Sequence, residues 1–369
     1  MANLIKKLSE FGEGFRHHHE NYRARAISEI QETGGVLPAG DFLFHFPEHF
    51  GFCYGVDKAI DMVFETCDRF RGKTIYLTDQ LIHNPYINGK LKEKGVRYLR
   101  RGADNLLACG ELEPDDVVVV SAFGTDFRDI ARLQNKGVTV VDSTCGAIIN
   151  VWKRVERYAR EGFLTVMHGK RNHEETRATV SQAVKEGGDY LIIENKEEAQ
   201  ALARRIRNEM KEDDCKMGMA NQTTMLKGES LEIQELLRAA FVERFGEEET
   251  KTRFRSFDTI CGATQDRQDA LRKLLNEKLD LVLIVGGFNS SNTTHLAEIA
   301  DGKLPFYHLE SAGDLVSKHE IRARDPRTSH IMVQSGWLKE GTKNIGITSG
   351  ASTPDVTLAE IVEKICGWK

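Results

Sequence analysis

Several features that would place this chain in a special class are missing from its 369 residues. It has no run of about 18 or more apolar residues, and segment 1–30 is too charged to hold the apolar core of a signal peptide. No long basic run occurs, and the net charge is only −5, so nothing indicates binding to nucleic acid or to an anionic membrane. We therefore expect a cytoplasmic protein without a membrane span.

The seven cysteines include no C-x-x-C pair, which is the local spacing that structural zinc sites usually use. An odd number of cysteines without a secretory signal argues against a disulfide framework. We expect Cys67, which lies on a helical pattern, to be a small core residue, and three others to be structural or merely exposed: Cys109, Cys215 and Cys366.

The other three cysteines share one sequence pattern. In FPEHFGFCYGVDKAIDMVF, VTVVDSTCGAIINVWKRV and FRSFDTICGATQDRQDALRKLL, an apolar stretch leads to a cysteine, a nearby glycine and an amphipathic helical pattern. These cysteines are Cys53, Cys145 and Cys261. This weak internal repeat predicts one such cysteine per small α/β domain, each at a turn from strand to helix.

A cysteine at a helix start has free N–H groups and the positive end of the helix dipole close to it, which stabilises a thiolate. Three isolated thiolates suit an iron–sulphur cube, for which four would be the complete set. The missing fourth ligand would leave one iron open to act as a Lewis acid in catalysis. Spacing alone leaves an alternative open, in which Cys53, Cys145 and Cys261 are buried cysteines that pack three domains together.

Short β-rich runs alternate with amphipathic segments from about residue 73 onward, which predicts an α/β fold with mainly parallel sheets. The runs are KTIYLT, DVVVVSAFG, VTVVDSTC, GFLTVMHG, YLIIEN, KMGMANQT, LDLVLIVGG and NIGITSG. We predict an N-terminal extension followed by three domains, over residues 1–45, 46–145, 146–258 and 259–369. Within the extension, ETGGVLPAG is expected to be a loop, and His17–His19 form a tract to which we assign no chemistry.

Two segments predict helix starts that bind an anion. LIVGGFNSSNTTHLAEI passes from a buried strand to Ser290, Ser291 and Asn292, which supply more polar groups than one helix cap requires. NIGITSGASTPDVTLAEIV repeats the pattern, with Ser352 ahead of Pro354 at a plausible first helical position. Two such helix starts could hold one diphosphate, although ordinary capping explains either segment taken alone.

The segment HGKRNHEETRATVSQAV carries a candidate proton donor. Glu175 beside a bound anion would have a raised proton affinity, whereas its spacing from Asn172 is also that of a capping box. His83 lies in a loop shaped by a proline, where a lone histidine is usually solvated. Thr223 follows an apparent strand in ANQTTML, which alone says little.

Eight motifs, in this order, make the sequence resemble the 4-hydroxy-3-methylbut-2-enyl diphosphate reductase (IspH/LytB) family from about residue 50 onward. They are GFCYGVDKAI, IHNPYI, DSTCGAIINVW, HGKRNHEETRAT, NQTTMLKGE, DTICGATQDRQDA, GGFNSSNTTHLAEI and TSGASTPD. The resemblance implies three small α/β domains in a pseudo-threefold trefoil around one central [4Fe–4S] cluster. The family's reaction is the last step of the non-mevalonate (MEP) isoprenoid pathway, reductive dehydroxylation to isopentenyl and dimethylallyl diphosphate.

Carried onto matching positions, the resemblance assigns roles to individual residues. Three cysteines would hold the cluster, with the fourth iron open to the substrate hydroxyl: Cys53, Cys145 and Cys261. The diphosphate would be contacted by His83, His173, Ser290, Ser291, Asn292 and Ser352. Thr223 would lie near the substrate hydroxyl, and Glu175, with His173 and Thr223 as catalytic partners, would govern proton delivery. Ferredoxin or flavodoxin is the expected electron donor, and the enzyme would be a monomer or homodimer.

One residue departs from the pattern of many bacterial members. Phe123 stands where they carry a histidine before glycine, which removes one expected diphosphate contact and is similar to the plant and cyanobacterial branch. Two rival functions remain at this stage. A three-cysteine cluster enzyme of the quinolinate synthase kind would leave the N-S-S-N and G-A-S-T-P helix starts unexplained, and a redox sensor would have no use for Glu175.

Overall fold

The structure is a computed structural model that describes residues 5–6, 18–25, 27, 30, 35–211 and 215–368. The chain forms two compact units. Unit 1 comprises residues 1–14, 66–81 and 95–261, and unit 2 comprises residues 15–65, 82–94 and 262–369. Each unit has its own sheets and its own apolar cores.

The helices and strands alternate along most of the chain. The α-helices are α1 Tyr54–Arg69, α2 Pro85–Glu93, α3 Phe127–Lys136, α4 Gly146–Arg160, α5 Glu174–Lys185, α6 Lys196–Asn208, α7 Lys227–Arg253, α8 Gly262–Leu274, α9 Ser291–Ala300 and α10 Asp355–Cys366. The strands are β1 Ile5–Lys6, β2 Gly35–Ala39, β3 Phe42–Phe46, β4 Ile75–Leu77, β5 Arg97–Tyr98, β6 Val117–Val120, β7 Thr139–Asp142, β8 Leu164–His168, β9 Tyr190–Ile193, β10 Met217–Asn221, β11 Phe254–Ser256, β12 Leu281–Val285, β13 Phe306–Leu309, β14 Glu320–Arg324, β15 Ile331–Ser335 and β16 Asn344–Ser349. Short 3-10 helices cover His18–Tyr22 and Ala312–Asp314.

Unit 1 contains two parallel sheets. One has the strand order β1-β7-β6-β4-β5, and the other has the order β11-β10-β8-β9. Strand β6 is four consecutive valines, all of them buried. A strand of β-branched residues without polar alternation fits a sheet that is covered on both faces, which is the usual setting of parallel sheets.

Unit 2 contains one seven-stranded sheet with the order β15-β14-β13-β12-β16-β3-β2. Its four middle strands are parallel, and the strands added at both edges are antiparallel. The core beside it buries Phe44, Leu283 and Ile347 of the parallel strands together with Trp337.

The predicted α/β class is confirmed, and each of the eight predicted runs contains a strand. The loop predicted for ETGGVLPAG is wrong in part, because residues 35–39 form β2. Pro38 is tolerated there since β2 is an edge strand, where a missing N–H costs no ladder hydrogen bond. The division into three domains stays a prediction. In the described residues no helix is long and apolar enough to cross a membrane.

The parallel sheets place the predicted site residues. Loops that follow parallel strands lie at the carboxyl edge of their sheet, which is where α/β proteins bind ligands. In unit 2 the loops after β3, β12 and β16 share one such edge, and in unit 1 the loops after β8, β10 and β11 share another. The two edges contain most of the candidate residues.

Candidate active site

Glu175 is a buried carboxyl group held by one threonine of the neighbouring loop in unit 1. Its side chain is 1% exposed. The backbone N–H of Thr223 donates to Glu175 Oε1 over 2.6 Å, and the Thr223 hydroxyl donates to Oε2 over 3.0 Å. Burial raises the pKa of Glu175 to about 7, because the loss of water outweighs the opposing effect of these hydrogen bonds. A carboxyl group of this kind can give and take a proton near neutral pH.

The cap of helix α5 differs from the one that the sequence predicts. The N-cap is His173 rather than Asn172, and His173 Nδ1 accepts the N–H of Glu175 over 3.1 Å. Because the histidine ring satisfies this N–H, the Glu175 side chain is not part of a capping box and turns to Thr223 instead. The capping interpretation of Glu175 is therefore wrong, and the interpretation as a site residue gains support.

Phe123 packs against the same histidine. Its ring lies 5.4 Å from the His173 ring, centroid to centroid, at 84° to it. Such an edge-to-face contact fixes the orientation of a ring without adding a polar group. The residue that departs from the bacterial pattern therefore supports His173 through packing.

Gln222 is a site residue whose role the sequence did not reveal. It is fully buried, and its Oε1 accepts hydrogen bonds from the Lys170 N–H over 3.0 Å and from the Thr176 hydroxyl over 3.3 Å. One side chain therefore joins the loop after β8, the first turn of α5 and the Thr223 loop. Its place directly after strand β10 was the only available signal.

The first predicted anion site lies in unit 2, at the start of helix α9. Ser290 is the N-cap, and its Oγ accepts the N–H of Thr293 over 3.3 Å. The hydroxyl groups of Ser291 and Thr293 are buried and have no hydrogen-bond partner among the described residues. Because buried hydroxyl groups are rarely left in this state, these two indicate a site that is completed by a polar ligand.

The second predicted helix start lies on the neighbouring strand and is joined to the first. The N–H of Ala351 donates to Asn292 Oδ1 over 3.0 Å, which connects the loop after β16 to helix α9. Ser352 is buried in that loop. Pro354 occupies the N-cap position, so the prediction that it is the first helical residue is wrong by one position. The two polar loops lie together at the carboxyl edge of β12 and β16.

His83 is buried, so the expectation of a solvated loop histidine is wrong. Its Nδ1 lies 3.0 Å from the amide nitrogen of Asn289, and its backbone carbonyl accepts the Ser352 hydroxyl over 3.3 Å. Since the amide nitrogen donates, Nε2 is the ring atom that carries the proton. Gly287 permits this approach, because a Cβ there would lie 2.3 Å from the His83 carbonyl oxygen. A glycine in the loop after β12 therefore brings His83 to the polar loops.

Cys145 and Cys261 lie in unit 1, each directly before a helix. Both cysteines are half-buried. The N–H of Cys145 donates to the carbonyl of Ala122 over 3.0 Å, and the N–H of Cys261 donates to the carbonyl of Thr223 over 3.1 Å. Thr223 therefore contacts Cys261 through its carbonyl and Glu175 through its N–H and hydroxyl. Glu175, the predicted proton donor, and Cys261, a predicted cluster ligand, therefore both contact Thr223.

Cys53 has the equivalent setting in unit 2. It is a half-buried free thiol directly before α1, and its N–H donates to the carbonyl of Ala351 over 3.1 Å. Ala351 in turn donates its own N–H to Asn292. One residue therefore connects this predicted ligand to the anion loops, just as Thr223 connects Cys261 to Glu175.

Among the remaining cysteines, Cys67 is half-buried on α1 rather than fully in the core, and the other three lie in settings that disfavour the thiolate. Cys215 is fully buried in an apolar core of unit 1, and burial raises the pKa of its thiol. Burial likewise raises the pKa of Cys109 and Cys366. A raised pKa disfavours the thiolate that binds metal, so these three cysteines are poorer ligand candidates.

The comparisons with known proteins agree with this geometry. The family model described as LytB protein matches residues 45–366. The chain belongs to the LytB family. The 4-hydroxy-3-methylbut-2-enyl diphosphate reductase of Picosynechococcus sp. is 38% identical to it, over 97% of this chain and 94% of the relative. The protein of the same name from Gloeobacter violaceus is 39% identical, over 93% and 87%.

Two solved structures are similar to this member of the LytB family. A structure of (E)-4-hydroxy-3-methyl-but-2-enyl diphosphate reductase has a TM-score of 0.56 and 28% identity, covering 87% of this chain and 98% of the other. The E-1-hydroxy-2-methyl-but-2-enyl-4-diphosphate reductase from Plasmodium falciparum has a TM-score of 0.69 and 23% identity, covering 88% of each chain. The second likeness concerns the fold alone.

Proposed function

We propose that this LytB-family chain reduces 4-hydroxy-3-methylbut-2-enyl diphosphate to isopentenyl and dimethylallyl diphosphate, the terminal step of the non-mevalonate pathway. The names of the relatives support this reaction. The observation that carries it is the pair of Glu175 and Thr223, because a buried carboxyl with a pKa of about 7 suits an enzyme that must release water.

We propose that one [4Fe–4S] cluster is held by Cys53, Cys145 and Cys261, with its fourth iron open. The donor set fits, since each is a half-buried cysteine directly before a helix, with its N–H already bonded to a loop carbonyl. Such a cluster supplies electrons and an iron position that accepts an oxygen ligand. An iron–sulphur centre agrees with membership of the LytB family.

The polar loops of unit 2 bind and orient the diphosphate in this proposal. The free N–H groups of α9 and the unpartnered hydroxyl of Ser291 donate to phosphate oxygens, as does the Nε2–H of His83. Asn292 joins the loop after β16 to α9, and Ser352 joins the same loop to the His83 segment. His173 is the remaining proposed contact and is the N-cap of α5.

Glu175 and Thr223 move the proton. When Glu175 is protonated, Oε2–H donates to Thr223 Oγ1, and the threonine hydroxyl is then free to donate to the substrate oxygen. Transfer along this pair delivers the proton that turns the leaving hydroxyl into water. The overall reaction consumes two electrons and two protons for each diphosphate, and the second proton is added to carbon.

We further propose that a ferredoxin or flavodoxin supplies the electrons one at a time, and that the enzyme works in the cytoplasm as a monomer or homodimer. A carrier of single electrons matches a cluster that passes them singly.

The proposal is tested by anaerobic purification, iron and sulphide quantification, and absorbance and EPR spectroscopy with and without the diphosphate. We expect four irons and four sulphides per chain, and a spectrum that changes when the diphosphate is added. The proposal would be contradicted by a protein that contains zinc, or by a cluster whose spectra do not change when the diphosphate is added.

A further inference from the structure

The loop that leads to Cys53 has an unusual backbone in unit 2. It runs from the end of β3 to the start of α1, and Gly51 within it adopts a φ of +71°. This left-handed conformation favours glycine and turns the neighbouring carbonyl groups away from the direction they take in a strand. Phe50, just before it, is 1% exposed and packs against Phe46.

Two contacts tie this loop to the end of β16. The N–H of Gly51 donates to Ser349 Oγ over 2.8 Å, and the N–H of Cys53 donates to the carbonyl of Ala351 over 3.1 Å. Both contacts use the N–H groups of the loop. The carbonyl groups of Phe50 and Gly51 need donors of their own, because residues 50–52 are buried.

Arg267 supplies those donors. It lies on α8, and its side chain is buried, with the residue 5% exposed. Nη2 donates to the carbonyl of Gly51 over 2.6 Å and approaches that of Phe50 at 3.4 Å. Nη1 donates to the carbonyl of Ala263 on its own helix over 2.8 Å. A planar guanidinium can bind all three carbonyls at once, which fixes the loop against α8.

We infer that Arg267 is a positioning residue for Cys53: its guanidinium locks the carbonyl groups of Phe50 and Gly51, and this holds the cysteine where a metal centre needs it. The inference rests on the proposed role of Cys53 as a cluster ligand. Arg267 needs no contact with substrate or iron for this role. Metal sites depend in general on such outer contacts, which orient the residues that bind the metal.

Hydrogen exchange of the full-length protein, stripped of metal under anaerobic conditions, tests the inference without any use of activity. In Arg267→Met we expect exchange of the peptide 47–54 to be about tenfold faster, because carbonyl hydrogen bonds of the loop are lost. Arg267→Lys should lie between Arg267→Met and the unaltered protein, since an ammonium group keeps the charge but not the fork. Strands β12 and β16 should exchange as before.

Arg272→Met is the matched control. Arg272 lies on the same helix, is 42% exposed and pairs with Asp269 at 3.0 Å, so its loss should leave peptide 47–54 unchanged. Equal exchange of this peptide in Arg267→Met and Arg272→Met would overturn the inference. So would faster exchange of the whole unit in Arg267→Lys, the variant that decides the question if Arg267→Met does not fold.

Cluster retention is the second readout, measured on anaerobically purified holoprotein. We expect Arg267→Met to lose iron on exposure to air about tenfold faster than Arg272→Met, measured at a temperature at which both variants are folded. Identical loss rates would contradict a positioning role towards the metal. If the unaltered protein holds no cluster at all, the proposed function fails, while the exchange experiment still decides whether Arg267 positions Cys53.

Discussion

The two carboxyl edges, one in each unit, share the same backbone pattern but differ in how their polar side chains are satisfied. In unit 1 the Thr223 carbonyl binds the N–H of Cys261, and in unit 2 the Ala351 carbonyl binds the N–H of Cys53. Around Thr223, however, the carboxyl group of Glu175 has its hydrogen bonds made internally, whereas near Ala351 the hydroxyl of Ser291 has no partner among the described residues.

This difference matches the different requirements of a proton donor and of an anion-binding site. A proton donor must have a tuned pKa, so it is buried and held by fixed protein groups. An anion site must exchange its ligand, so some of its donors stay unpaired until the ligand arrives. In the proposed function, the edge of unit 1 delivers the proton and the edge of unit 2 binds the anion.

The largest expected effect is the loss of turnover in Glu175→Gln. The amide keeps the shape and one hydrogen bond to Thr223 but cannot deliver a proton, so we expect kcat to fall by about 10²- to 10⁴-fold. Steady-state assays with a chemical reductant measure this. Iron content and diphosphate affinity should not change, because both depend on other groups.

Glu186→Gln is the matched control, since it makes the same substitution at the other end of α5. It should keep full turnover. Normal kcat in Glu175→Gln would remove the proton-donor role, and equal losses in both variants would mean that the helix, not the carboxyl group, is needed.

The next effect concerns stability. Burial raises the pKa of Glu175 from 4.5 to about 7, so the folded state binds this proton more tightly than the unfolded state does. The resulting stability is fully present below about pH 4.5 and is lost as the pH rises to about 7. Relative to Glu175→Gln, the protein should lose roughly 2–3 kcal/mol between pH 5 and 8. Denaturant unfolding of both proteins measures this, and parallel pH curves would contradict the raised pKa.

A smaller effect should separate two adjacent serines of unit 2. Ser291→Ala removes an unpartnered hydroxyl, so we expect KM for the diphosphate to rise about tenfold with the free energy of unfolding unchanged. Ser290→Ala removes a helix cap as well and should cost about 1 kcal/mol of stability. Kinetics and denaturant unfolding of both variants check this, and a Ser291→Ala variant with unchanged KM would contradict the anion site.

The smallest effect is a shift in titration. Thr223→Val removes the hydroxyl that lowers the pKa of Glu175, so we expect that pKa to rise by less than about one unit. Infrared difference spectroscopy of the carboxyl band across pH 5–9 would show it. A pKa that falls in Thr223→Val would contradict the hydrogen bond between the two side chains.

Sequence patterns predict what depends on local chemistry. Buried β-branched runs such as Val117–Val120 predict parallel strands, and the glycine-flanked cysteines predict turns from strand to helix. Sequence could not predict contacts between distant segments. The His83 carbonyl can approach the loop after β12 because Gly287, about 200 residues away in the chain, has no Cβ. The hydrogen bonds that Gln222 accepts from Lys170 and Thr176 also join segments that are distant in the sequence.

The sequence patterns also did not predict which residue is the N-cap of α5. Asn172 and His173 both lie where they could cap α5, and in the structure His173 is the cap and packs against the ring of Phe123. With His173 as the cap, the Glu175 carboxyl group takes no part in capping and accepts hydrogen bonds from Thr223.

Product analysis of a single reaction tests directly whether this chain reduces the allylic diphosphate. Anaerobically purified protein, a one-electron reductant and 4-hydroxy-3-methylbut-2-enyl diphosphate should give isopentenyl and dimethylallyl diphosphate together, with one water released for every two electrons consumed. Oxidation of the reductant without loss of the hydroxyl group, or recovery of the diphosphate unchanged by a protein that contains its cluster, would contradict the account.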